Sequence, residues 1–375
     1  AYLPTDFSSV DGAMRSSASD DAEHVNDFSA VQKFNDGTWT SLQTVDDQWS
    51  TLYAGIRAAN LYLEEGTGRT FDELKWNADY KELMAQYALY PYEARFLRAF
   101  FYFELIKRYG DVPLITKVLT EEEANKVMRS PFADVVQFIV SECDAIIPNL
   151  PRNFTTIPGA ETGRATRGAA MALKARTLLY AASPLFNQSN DKSKWIAAAV
   201  ASKAIIDSAL YSLDASYANV VNNLTTKELI FERRQAAANS FEAANFPIGY
   251  EGGNTGTCPT QNLVDAYEMA AKGLGINEPG SGYDPAKPYT GRDPRFALTI
   301  LYDGATWKSV PVEIWNGGKN APPIRYATKT GYYLKKYLIE AVSLSPASPS
   351  TRIHTWVLFR YGEVLLNYAE AMNEA

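Results

Sequence analysis

Apolar residues recur at three- and four-residue spacing through one segment after another of this 375-residue chain, and Gly or Pro closes most of these segments. Repeated amphipathic stretches of this kind must bury their stripes on one another, so the pattern predicts packed helices. Residues 44–65 carry Trp49, Leu52, Tyr53, Ile56, Ala59, Asn60 and Leu63 on such a face, with Gly66 as the stop. In 79–109 the stripe Phe96, Phe100, Phe103 predicts core. Glu104 stands four residues before Arg108, the favourable order for an ion pair, and Gly110 and Pro113 end the segment. Ser130-Pro131 opens the next helix, which Pro148 and Pro151 close. Arg164 to Ala182 and Lys194 to Leu210 follow, both rich in alanine, which lets a neighbouring backbone come close. The helix starts near 92, 131, 164 and 194 lie roughly 30–39 residues apart, so the chain reads as helical hairpins in a loose tetratricopeptide-like array. A last helical pattern runs from Trp356 to Ala375 without a cap.

Between the helical ends the character changes. From 211 to 355 Gly and Pro cluster, as in Glu251-Gly252-Gly253-Asn254-Thr255-Gly256, and short β-like runs stand at 228–234 and 332–339. The expected fold class is mostly α: a tetratricopeptide-like helical-hairpin scaffold with a long loop-rich insertion carrying short β-strands. We expect one domain over 1–375, with 44–210 and 356–375 as scaffold and 1–43 and 211–355 as a loop-rich binding face.

Composition excludes several functions. Net charge is −7, against the basic face that a nucleic-acid binder needs. No apolar run reaches the length of a membrane-spanning helix. Two cysteines, Cys143 and Cys258, build no disulfide framework, and Cys143 reads as a buried thiol. With only His24 and His354, imidazole chemistry has little to work with. There is no nucleophile elbow, paired-histidine zinc motif or phosphate loop. Thr120 and Glu123 fit a capping box, which explains the acidic run Glu121-Glu122-Glu123 without a site. The first residue is not Met and no signal peptide is visible, so both ends are expected to lack native sequence.

Aromatic residues carry the better signal: Tyr 23, Phe 17 and Trp 7. Sugar rings present C–H faces that pack on Trp and Tyr, while hydroxyls need acids, amides or Arg. Trp39 lies in a polar loop; Trp307 and Trp315 lie in the late loops near Arg325. Tyr283 and Tyr289 belong to the same loop series. Asp20-Asp21, with Glu23, suit sugar hydroxyls or a metal, or are simply solvated. Whether a calcium ion braces these loops stays open, and no organic cofactor is expected.

Five segments together resemble the SusD/RagB family of Bacteroidetes outer-membrane nutrient-binding lipoproteins. They are Glu93-Ala94-Arg95-Phe96-Leu97-Arg98-Ala99 continuing to Arg108-Tyr109-Gly110-Asp111-Val112-Pro113-Leu114, then Gly163-Arg164-Ala165-Thr166-Arg167-Gly168-Ala169, Arg292-Asp293-Pro294-Arg295-Phe296, Gly331-Tyr332-Tyr333-Leu334-Lys335-Lys336-Tyr337, and Arg360-Tyr361-Gly362-Glu363-Val364-Leu365-Leu366-Asn367-Tyr368-Ala369-Glu370-Ala371. The resemblance implies a non-catalytic surface lipoprotein of the outer membrane, held by an N-terminal lipid anchor absent from this sequence. It further implies capture of an extracellular oligosaccharide, or of a peptide in the RagB-like alternative, and delivery to a SusC-like TonB-dependent transporter. A helical-repeat protein adaptor and, least favoured, a glycosidase are the remaining alternatives. By position, Asp20, Asp21 and Trp39 resemble an early binding loop, and Tyr283, Tyr289, Trp307 and Trp315 a late one, with Arg325 beside them.

Overall fold

In a computed structural model of the chain, the described residues are Leu3, Asp6, Phe7, 9–157 and 161–375. Among them the longer helices are α1 (Trp49–Leu61), α2 (Tyr80–Tyr87), α3 (Tyr90–Tyr109), α4 (Phe132–Ile146), α5 (Arg167–Ala182), α6 (Lys192–Asp207) and α7 (Tyr361–Glu374). They stack in an array: α1 on α3, α3 on α4, α4 on α5, α5 on α6 and α6 on α7. The mostly helical architecture anticipated above is what the chain adopts.

Local chemistry sets the boundaries. The predicted 79–109 helix is two, because Pro91 lacks an N–H and sits in the first turn of α3. Thr166 caps α5, its Oγ1 accepting from Ala169 N at 3.2 Å, and Asp191 caps α6. The Thr120–Glu123 capping box is present in both directions. The Trp356–Ala375 reading needs correction. Residues Thr355–Arg360 form a strand, β8, and only then does α7 begin. The run Thr355-Trp356-Val357-Leu358-Phe359, rich in β-branched and aromatic residues, suits a strand, and β8 pairs antiparallel with β2 (Leu229–Arg234). Of the β-like run 332–339 only Tyr333–Leu334 is strand.

The scaffold core is aromatic. Phe96, Phe100 and Phe103 are fully buried, and Phe231 of β2 meets Phe96 edge-on at 5.0 Å. Phe359 of β8 reaches Phe100 at 5.9 Å, so the β2–β8 ribbon closes the face of α3. A second core under the late loops holds Phe241, Phe246, Trp307, Tyr333 and Val342. Trp356 touches both, stacked on Tyr337 at 5.1 Å.

Buried ion pairs lock the helices in place. Glu142 of α4 accepts from Arg95 Nη2 at 2.8 Å and from Arg98 Nη2 at 2.9 Å, both from α3. Arg98 Nη1 also donates to Asn60 Oδ1 of α1 at 2.7 Å and to Thr116 O at 3.1 Å. Burial pushes the Glu142 carboxyl up, but hydrogen bonds and charge from Arg95 and Arg98 outweigh it and hold it below the ordinary 4.5. A carboxyl depressed in the folded state stabilises fully above its unfolded pKa and loses that contribution as pH falls through the folded value. Glu142→Gln, which leaves Arg98 buried without its counter-charge, is expected to cost about 3 kcal/mol or more in urea unfolding at pH 7. That gap should narrow in parallel melts taken below pH 4.5.

Candidate functional site

The early and late loops meet on a very small sheet. Strand β1 (Ala22–His24) pairs antiparallel with β3 (Thr257–Pro259), in the register Ala22↔Pro259, Glu23↔Cys258 and His24↔Thr257. The contact extends at both ends. Val25 N donates to Gly256 O at 2.8 Å, Thr260 N to Asp21 O at 3.0 Å, and the Thr260 hydroxyl to Asp20 O across 240 residues of sequence. Gly256 is required here. Its φ is +49°, and a Cβ would stand 2.5 Å from Ala244 O and from Asn245 Oδ1, the acceptor that also takes Thr257 N at 3.0 Å.

Asp20 and Asp21 enter β1 exposed to solvent, and their carboxylates accept no hydrogen bond from the described residues. Glu23 is committed elsewhere: it accepts from Gln32 Nε2 at 2.6 Å and Asn35 Nδ2 at 3.2 Å. These bonds tie the one-turn helix Gln32–Asn35 to β1, and Trp39 follows it. Trp39 is 51% exposed, with Phe34 supporting one side of the indole at 5.7 Å. Among the described residues no group of three or more His, Cys, Asp or Glu is placed to hold a metal.

On the other side of β3, Tyr332 Oη donates to Gln261 Oε1 at 2.8 Å, one residue past Thr260. Tyr332 belongs to an aromatic cluster in which Tyr289 lies 4.3 Å from Tyr302 and 5.9 Å from Phe296. Burial, then the Tyr332 hydroxyl, push the Tyr289 phenol well above its usual range, so it remains a hydrogen-bond donor at any physiological pH. Tyr283 is half-buried under the Arg292 guanidinium at 5.6 Å, and that guanidinium spends its N–H groups on the carbonyls of Val264, Tyr267 and Pro288.

The late loop supplies the rest. Trp315 is 56% exposed. Arg325 is exposed and leans on its neighbour, 4.6 Å above the Tyr326 ring, with Nη2 donating to Tyr326 Oη at 2.8 Å. Lys329 then pairs with Asp27, joining this loop to the segment after β1. Thus Asp20, Asp21, Trp39, Tyr283, Tyr289 and Arg325 belong to loops that these contacts tie to the β1–β3 ribbon, and Trp315 stands on the Arg325 loop.

Trp307 does not join them. It is 1% exposed, on the short strand β5 (Thr306–Trp307; β4 is Ile300–Leu301), with its ring against Phe246 at 5.7 Å. At 1% exposure the ring is packed in the second core, where it also lines a cavity, so it is not an exposed loop ring like Trp315, which corrects its reading as a surface contact. The sequence signal, a Trp among Gly-rich loops, is the same for Trp307 and Trp315; only burial separates them. Conversely, Phe28 is 95% exposed beside Asp27, although nothing in its polar surroundings marks it in the sequence.

The site is an open face. A cavity of about 800 Å³ lies elsewhere, between Leu298, Lys335, Ile339 and Arg352, and of the eight expected residues only Trp307 lines it. The β1–β3 ribbon itself is buried, but the loops flanking it carry separated rings and free carboxylates that can meet an extended molecule at several points.

Two family models match. One, described as the SusD family, covers residues 226–375; the other, described as starch-binding associating with outer membrane, covers residues 8–179. A curated relative, SusD-like protein P25 of Formosa agariphila, is 26% identical over 179 residues, 48% of this chain and 29% of that protein, so the match spans less than a third of the relative's length. Among solved structures, a SusD-like carbohydrate-binding protein of Bacteroides fragilis is 27% identical with a TM-score of 0.79, covering 100% of this chain and 70% of that one. A second SusD-like protein of the same organism is 25% identical at a TM-score of 0.79, covering 100% and 72%. A laminarin-binding SusD-like protein, 22% identical with a TM-score of 0.66 over 96% and 74% of the two chains, shares the fold. Motifs from both halves of the chain, the helical array and these matches agree: the chain belongs to the SusD/RagB family.

Proposed function

We propose that this protein binds an extracellular oligosaccharide without chemical change and delivers it to a TonB-dependent outer-membrane transporter. The observation that supports the reading is that the loops bearing Asp20, Asp21 and Trp39 are joined, through the β1–β3 ribbon and the Asp27–Lys329 pair, to the loop bearing Arg325, with exposed rings and unpaired carboxylates on these loops. Rings take the C–H faces of pyranoses, and carboxylates and phenols take their hydroxyls. The 27%-identical carbohydrate-binding relative supports a glycan as ligand. In this reading residues 1–375 act as one ligand-binding unit, in which 44–210 and 356–375 carry the loops. The match to a model of proteins associating with the outer membrane supports a place at that membrane, and the family resemblance supports a lipid anchor as the attachment.

Calorimetric titration against soluble oligosaccharides and short peptides, with chromatography of each mixture, tests the reading. Saturable heat from one glycan class with no new products is expected; heat from peptides alone would replace the ligand class, and turnover would overturn the binding role. Trp39→Ala and Trp315→Ala should each weaken glycan binding about tenfold while changing stability by no more than about 0.5 kcal/mol. Trp307→Ala should instead destabilise the fold by about 3–5 kcal/mol in denaturant titration, because it removes a large ring packed in the second core. Unchanged affinity in both surface variants would remove the proposed face.

A further inference from the structure

The cavity of about 800 Å³ beside the second core has a mostly aliphatic wall, made by Leu298, Leu338, Ile339 and Ile353 together with three alanines. Trp307 completes that wall. Its indole is 1% exposed, and Nε1 is buried with no hydrogen-bond partner among the described residues. An indole nitrogen can only donate, so the lost hydration of this N–H is offset only when an acceptor reaches it. The wall is held from behind. Ala238 N donates to Arg352 O at 2.9 Å and Arg352 N to Ala238 O at 3.0 Å. Lys335 N donates to Thr299 O at 2.9 Å, and Ile339 N to Glu242 Oε1 at 3.1 Å. The space is therefore built into the fold, and its volume falls in the range of small-molecule sites.

Charge around the cavity is uneven. Lys335 and Arg352 both line it, and among the described residues neither has a carboxylate within ion-pair distance. Lys335 Nζ donates to Ala297 O at 2.7 Å, and Arg352 Nη1 to Thr351 O at 2.8 Å. Burial holds the Lys335 ammonium below its ordinary 10.5, and the charge of Glu340 offsets only part of that. Glu340 is the one carboxylate among the lining residues, and its Oε1 already accepts from Lys308 N at 2.6 Å. Glu242, behind Ile339, is not part of the lining and meets His354 Nε2 at 2.8 Å. A sugar would set hydroxyls against the aliphatic wall, and a cation would meet two like charges. We propose that this cavity binds a small amphipathic carboxylate, with its apolar body on the aliphatic wall, an oxygen accepting from Trp307 Nε1, and its charge toward Lys335 and Arg352. A free fatty acid and the C-terminus of a peptide ending in an apolar residue share that chemistry. The cavity stands apart from the glycan-binding face, so neither reading depends on the other.

The test is calorimetry of the intact chain with decanoate, decanol and decylammonium, and with a tripeptide ending in leucine whose carboxyl is free or amidated. Wild type is expected to bind decanoate or the free tripeptide saturably, about tenfold or more tightly than the matching alcohol or amide, with no heat from the ammonium. The tighter of the two carboxylates tells a free acid from a chain end. Trp307→Phe keeps a ring beside Phe246 and removes the N–H, and should weaken binding about tenfold. Lys335→Met should weaken it as much and erase the preference for decanoate over decanol. Arg352→Gln alters an exposed side chain, so it should melt as wild type does while lowering affinity about threefold, and it keeps the test decisive if a more buried variant fails to fold. No saturable binding of either carboxylate by wild type overturns the site. So does equal affinity for decanol, tighter binding of decylammonium, or decanoate affinity unchanged in the variants that fold.

Discussion

Arg98 is a charge inside the helical scaffold, and the elements around it are placed by what it touches. Its guanidinium joins α3 to α4 through Glu142, to α1 through Asn60, and to the returning loop through Thr116 O. Asn60 extends the link by donating to Ile115 O and Lys117 O, both at 3.1 Å. Burying such a group costs several kcal/mol of hydration, which only well-aligned partners offset. An arrangement that shifted α4 by one turn would leave charge without a partner, so the network penalises wrong registers more than it deepens the right one. Hydrophobic contacts such as Phe96 on Phe231 tolerate small displacements; bidentate pairs do not.

The same logic recurs wherever the sequence is most recognisable. Glu93 takes Arg164 of the Gly163-Arg164 segment, linking the start of α3 to that of α5. Arg176 of α5 grips Glu363 of α7 and donates to Leu358 O at 2.6 Å while lying 4.1 Å over Phe359. Arg360 reaches Glu228 at 2.7 Å across Gly362, where a Cβ would stand 2.3 Å from the guanidinium. The charged residues of the family-like segments are thus consumed in joining elements to one another. They make the fold legible and say almost nothing about a ligand.

What could be read from sequence follows the range of the forces involved. Helix period and capping are local, so α4 to α6, the Thr120 box and the Phe96–Phe103 stripe were legible to within a few residues. Strand β8 was misread as helix because Trp356 to Arg360 is apolar enough for either period, and its partner β2 lies over a hundred residues earlier. The face around β1–β3 was legible only as a set of residue types, since its assembly depends on a three-residue ribbon. Trp307 and Trp315 looked alike because burial is a tertiary property. One Phe in a polar loop, Phe28, carries no pattern, and only the structure shows that Asp11, Asn26 and the Asp27–Lys329 pair hold the turn that exposes it.

That division of labour bears on how the face can work. A ribbon as short as β1–β3 has little stability of its own, so its geometry is borrowed from the cores beneath: Thr257 from Asn245, Tyr332 from the Phe296 cluster, Trp39 from Phe34. Substitutions at the exposed rings therefore cost the fold little, which lets such positions vary while the pairs around Arg98 and Arg176 cannot. On the proposed reading, contacts spread over separate loops would add up from a few rings, and affinity would be modest. For a protein proposed to pass its ligand on, a modest grip is an advantage: each ring can release in turn, and nothing has to open before the chain of sugars can leave.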